Sequence, residues 1–169
     1  KDRDPKYNAN INPKHNANLN PKYNADINPK YNANLNPKYN ANLNPKYNAD
    51  INPKYNANLN PKYNANLNPK YNANINPKYN ADINPKYNRS INGLYVFSMN
   101  NNVTGFTVFT DGISIYFDEN SNLYGYLIPH EKGFNFYDKG MTLRQLWLDN
   151  SGSGYNIFDL SNIWIGYAN

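Results

Sequence analysis

The sequence predicts an all-β fold in two parts: an octapeptide-repeat β array over residues 1–91, followed by a small β-meander of about eight short strands over 92–169. Three observations predict it. Pro recurs every eight residues from Pro5 to Pro85 without a slip, and a proline at that interval excludes α-helix by removing a donor and clashing with the preceding turn. Apolar and polar residues alternate strictly from Pro5 to Ile91, with only His15 and Arg89 out of phase, which is the period of a half-buried strand. Composition then changes abruptly near Arg89–Asn92: 11 of the 12 prolines lie at or before Pro85, while all nine glycines and all seven phenylalanines lie beyond it.

The octad reads Asn-Pro-Lys-Tyr-Asn-Ala-(Asn/Asp)-(Leu/Ile). Its alternation spans far more than the usual ~3–10 residues of a strand. The array is therefore expected either to wrap into a three-sided solenoid or to run as an extended ribbon paired between chains. The extended form would span roughly 290 Å at about 3.3 Å per residue. The solenoid would turn at Asn-Pro, a type I turn pair, with three octads per 24-residue rung. Asp26 and Asp50 are 24 apart, as are Ile27, Ile51 and Ile75, and duplication of a three-octad block gives the same spacing. In a strand, Lys and Tyr of one octad would point to opposite faces.

Residues 92–169 carry a second repeat of about twenty residues. Gly93-Leu94-Tyr95-Val96-Phe97, Gly112-Ile113-Ser114-Ile115-Tyr116, Gly133-Phe134-Asn135-Phe136-Tyr137 and Gly154-Tyr155-Asn156-Ile157-Phe158 each lead a hairpin. The second arms are Val103-Thr104-Gly105-Phe106, Leu123-Tyr124-Gly125-Tyr126, Leu143-Arg144-Gln145-Leu146 and Trp164-Ile165-Gly166-Tyr167. Polar turns, among them Asn150-Ser151-Gly152-Ser153, bracket these segments, as a meander requires. The pattern resembles the bacterial WG/KWG-like short β-hairpin repeats over residues 93–169, although Tyr124-Gly125 and Ile165-Gly166 stand where that family has Trp-Gly. The octads, residues 5–92, resemble Asn-Pro-x-Tyr-Asn arrays of bacterial surface proteins. Neither resemblance implies a catalytic site.

Charge divides with composition. Residues 1–88 carry 13 basic and five acidic groups, and residues 89–169 carry four and seven. The net +5 is thus a +8 array joined to a −3 domain. The absence of Cys excludes disulfides, thiolate zinc sites and a cysteine nucleophile. No apolar run is long enough to span a bilayer as a helix. The chain opens on Lys1 with neither Met nor an apolar leader, as expected of a mature or partial chain. No phosphate loop, nucleophile elbow or paired-His motif occurs, so the chain is expected to be neither an enzyme nor a cofactor carrier, and no metal is assigned. Asp118, Asp138 and Asp159 recur at one place in successive hairpins and are expected to cap turns, the alternative being a row of cation ligands. His130 is expected in a solvated loop, and His15 stands for Tyr in a terminal unit.

These features predict a structural, self-associating extracellular or cell-surface protein, a homopolymer that forms a fibre, filament or appendage through the array. Its assembly face would comprise Tyr23, Tyr31, Tyr39, Tyr47 and Tyr55 with Leu19, Ile27, Leu35, Leu43 and Ile51. The alternative is a module gripping a polyanion or glycan through Lys22, Lys30, Lys38, Lys46 and Lys54, with nucleic acid ranked below glycan because Arg, the better partner for phosphate and base, is missing between Arg3 and Arg89.

Overall fold

The computed structural model describes residues 3–152 and 154–169. Lys1 and Asp2, counted above in the array's charge, and Ser153 of the last turn cluster lie outside them. The fold is all-β apart from short 3-10 turns. The C-terminal strands are β1 (Tyr95–Ser98), β2 (Val103–Phe109), β3 (Ser114–Asp118), β4 (Leu123–His130), β5 (Gly133–Asp138), β6 (Leu143–Asp149), β7 (Tyr155–Asp159) and β8 (Trp164–Ala168). They form the expected eight-stranded antiparallel meander, and it closes: β1 pairs with β8 through Val96–Ala168, Phe97–Tyr167 and Ser98–Gly166. Closure removes both sheet edges.

The twenty-residue repeat explains how the barrel bends. The register slips between Val96 and Phe97, Tyr116 and Phe117, Phe136 and Tyr137, and Ile157 and Phe158. Each slip leaves one extra residue on the partner strand (Thr104, Tyr124, Arg144 or Ile165). Such bulges increase local twist and let a sheet curl onto itself. The four tight turns that follow place Asn101, Ser121, Met141 and Asn162 in the left-handed region, with φ of 63–65°. Gly125 is required inside the wall, because a Cβ there would lie 2.2 Å from the Tyr137 carbonyl oxygen and 2.7 Å from the Phe136 ring.

Both faces of the barrel wall are apolar. Val96, Tyr116, Leu127, Phe136, Trp147, Ile157 and Ala168 form one buried cluster that fills the interior. Phe106, Val108, Ile115, Phe117, Tyr126, Ile128 and Tyr137 face outward, as do Leu146, Leu148 and Phe158. Those outward residues are covered by the octads. Ile51, Leu67, Ile75 and Ile91 belong to the first outer cluster and Leu35 to the second. The array is therefore a belt around the barrel.

This corrects the expectation for residues 5–91. Among the described residues before Gly93 there is no strand, solenoid rung or extended ribbon; the belt is a chain of turns, with a 3-10 turn at each Ala-(Asn/Asp)-(Leu/Ile). The cause is asparagine. Asn20 Oδ1 accepts from the Lys22 N–H at 2.9 Å, while its Nδ2 donates to the Pro13 carbonyl at 3.1 Å. Asn24 Oδ1 accepts from the Asp26 N–H at 3.1 Å, and its Nδ2 donates to the Asn18 carbonyl at 2.7 Å. Meanwhile the Asn20 carbonyl accepts the N–H groups of Tyr23 and Asn24 at 2.9 and 2.8 Å. Asx turns of this kind offer the backbone an alternative to sheet ladders. Two asparagines per octad thus bend the chain and tie it to the preceding octad. The third Asn position contributes its backbone and takes Asp at Asp26, Asp50 and Asp82; at the first position Asp stands only in the opening unit, at Asp4, whose Oδ1 accepts the Lys6 N–H at 3.0 Å.

The belt and the barrel keep step. Asn156 and Asn135, 21 residues apart and fully buried on the outer wall, donate through Nδ2 to the carbonyls of Leu19 and Leu43 at 3.0 Å each. Those two leucines are 24 apart. Among the asparagines that precede proline, burial falls at Asn12, Asn36, Asn60 and Asn84, each 24 apart, and also at Asn20. Three octads therefore pass over each hairpin, in the opposite direction around the barrel. The 24-residue period is a docking register rather than the perimeter of a coil.

The belt goes once round and is clasped. Arg3 donates to the carbonyls of Ile91 at 3.1 Å, Gly93, and Asn169 at 3.3 Å, and its guanidinium lies 4.6 Å from the centre of the Tyr95 ring. Arg3→Ala is expected to cost about 1.5–3 kcal/mol, the range for hydrogen bonds to a charged donor. Hydrogen exchange over residues 4–20 should quicken more than over β3–β6.

Candidate functional site

Docking separates the side chains that the alternation had grouped on one assembly face. Leu19, Ile27, Leu35, Leu43 and Ile51 are buried, the last at 8% exposure and the rest below that. Tyr23, Tyr31, Tyr39, Tyr47 and Tyr55 are 66–77% exposed. The apolar stripe turns inward, and the tyrosines line the outside.

Lys and Tyr of one octad also come together, against the strand expectation, because Pro-Lys-Tyr lies within a tight turn rather than on a pleat. The ammonium groups of Lys30, Lys38, Lys46 and Lys54 lie 5.5–5.7 Å from the ring centres of Tyr31, Tyr39, Tyr47 and Tyr55. Lys62, Lys70 and Lys86 do the same over Tyr63, Tyr71 and Tyr87. At these distances the ring quadrupole attracts the cation by about 0.5–1 kcal/mol on an exposed surface. The contact leaves one ring face open to solvent. Lys22 is exposed without a ring contact of this kind to Tyr23, and Lys78 instead donates to Asn122 Oδ1 at 3.0 Å. Among the described residues the only ion pair is Arg144 with Asp138, so no belt lysine is neutralised by a carboxylate.

The three recurrent aspartates are committed to their turns. Asp118 Oδ1 accepts from the N–H groups of Asn120 and Asn122, both at 2.9 Å. Asp159 Oδ1 accepts from Ser161 and Ile163 at 2.9 and 3.0 Å. Asp138 Oδ1 accepts from Gly140 and Thr142, while its Oδ2 takes Arg144 Nε at 2.8 Å. The Arg144 hydrogen bond, followed by the Thr142 N–H, holds the Asp138 carboxyl below its usual range. Among the described residues no three His, Cys, Asp or Glu side chains converge as metal ligands. This end of the barrel opens on a hollow of about 790 Å3, lined by the same aspartates with Tyr124, Phe136 and Arg144. Tyr124 stacks on Phe136, with ring centres 5.3 Å apart and an interplanar angle of 13°.

His130 departs from the solvated loop expected of it. It ends β4, pairs with Gly133, and is partly buried, with Nδ1 accepting from the Lys132 N–H at 3.1 Å. Burial pushes its pKa down from 6.5 to about 4. Between those values the unfolded chain binds the proton and the folded chain does not. Stability is therefore full above about pH 6.5 and falls as the pH drops toward 4. Thermal melts of the wild type should show this acid limb, and His130→Gln should flatten it.

Among the described residues no helix is long and apolar enough to cross a membrane. Comparison with protein-family models, with curated proteins and with solved structures finds no match to this chain.

Proposed function

We propose that the protein is a non-catalytic binding module of the extracellular space or cell surface, and that its belt engages acidic polysaccharide. The carrying observation is that Lys and Tyr share one exposed surface in octad after octad, with the ammonium 5.5–5.7 Å from the ring centre. Each such unit offers a flat face for the C–H side of a sugar ring and a cation for its carboxylate or sulfate. Nucleic acid is less well served. The octads carry a single guanidinium, Arg89 in the last unit, so the row of Lys-Tyr units has no fork for phosphate.

Titration calorimetry of the full chain against heparin, polygalacturonate and neutral dextran tests the proposal. Binding to the two acidic polymers, weakened by salt as exposed charges are screened and absent for dextran, is expected. Tyr39→Ala with Tyr47→Ala should weaken it without lowering thermal stability. No heat with either acidic polymer overturns the reading, and tighter binding of single-stranded DNA reassigns the ligand to nucleic acid.

Self-association into a fibre or appendage is a second reading, and it draws on the exposed Tyr row. The Leu/Ile stripe is already committed within one chain, so the Tyr row alone would have to join copies. Sedimentation at micromolar concentration tests it: a species near 20 kDa would leave the belt as a ligand surface.

A further inference from the structure

The seam between belt and barrel holds two hollows built to one plan. The first, about 160 Å3, is lined on the belt side by Pro13, Lys14, Asn20 and Lys22. The second, about 330 Å3, is lined by Pro37, Lys38, Asn44 and Lys46. Each residue of the first set is 24 before its counterpart in the second, the interval at which the belt docks on successive hairpins. The barrel side matches as well. Asn101 lines the first hollow and Asn162 the second, and both are the left-handed corner residues of their hairpin turns. An apolar wall completes each, Trp164 and Tyr167 in one and Leu146 and Leu160 in the other.

Charge gives these hollows a chemical preference. Each brings lysines from adjacent octads to one opening, and no carboxylate lines either. An oxyanion supplies acceptors for the lysines at the opening.

Resting on the acidic-polysaccharide reading, we infer that these seam hollows are subsites seating the sulfate or carboxylate substituents of the chain. Lys14 with Lys22 and Lys38 with Lys46 are the paired cations, and the exposed tyrosines between carry the sugar rings. Belt lysines outside the hollows, such as Lys30 and Lys54, contribute only to the general field.

Charge-matched pairs of variants in the full chain separate these roles. Lys14→Ser with Lys22→Ser, and Lys38→Ser with Lys46→Ser, remove two charges each, as does Lys30→Ser with Lys54→Ser. With heparin as titrant, each hollow pair is expected to weaken binding about tenfold, against about threefold or less for the control pair. Equal losses for all three lysine pairs overturn the subsites and leave the polysaccharide reading standing. A wild-type chain that binds neither heparin nor polygalacturonate overturns that reading and the subsites with it.

Discussion

Leu43→Ala is expected to cost about 2–5 kcal/mol of stability, whereas Tyr39→Ala, four residues away in the same belt, should change it by less than about 0.5 kcal/mol. The contrast follows from docking. Leu43 is 1% exposed, and its carbonyl receives Asn135 Nδ2, so truncation opens a void against the wall. The Tyr39 ring stands 67% exposed and meets Lys38. Chemical denaturation of both variants checks the order. A ribbon that buried Pro, Tyr, Ala and Leu on one face would give comparable losses at the two positions, so the pair decides between belt and strand.

Removing the belt should have the larger effect. A fragment of residues 92–169 retains every strand and the filled interior, yet uncovers Phe106, Val108, Ile115, Phe117, Ile128, Leu148 and Phe158, each at most 4% exposed in the whole chain. Monomeric soluble proteins rarely leave contiguous apolar patches beyond a few hundred Å2. The two buried asparagines also lose the carbonyls of Leu43 and Leu19. The fragment is expected to oligomerise, to bind a hydrophobic dye and to lose its sharp thermal transition. Adding residues 1–91 in trans should reverse part of this. A soluble monomer with a cooperative melt would show that the barrel stands without its cover.

The eight strands were legible because each hairpin announces itself with Gly, an aromatic run and a polar turn, and the four bulges recur with the same repeat. Closure was not legible. A barrel whose wall is apolar on both faces reads as continuous apolar runs, as at Ile115–Phe117 and Tyr126–Ile128, and such runs do not say what lies on the second face. The belt misled for a different reason. Its period of two arises because two asparagines per octad occupy even positions to make Asx turns, while the residues between them point variously: Leu43 to the wall, Tyr39 to solvent. A usable signal was present in where Asp is tolerated. Inside the array it replaces one Asn of the octad and not the two whose side chains both donate and accept, as a network of amide turns demands and a strand does not; Asp4 takes such a place only in the opening unit, which has no preceding octad to donate to.

The matched pace of belt and barrel limits how such a chain can change length. One added octad would shift every later leucine off its hairpin and carry Arg3 past Ile91, leaving slack at the clasp. Three added octads would restore the phase but overrun the circumference, unless the domain also gained a hairpin and became ten-stranded. The repeat number is thus a dimension set by the hoop it encircles, and the two arrays can grow only together.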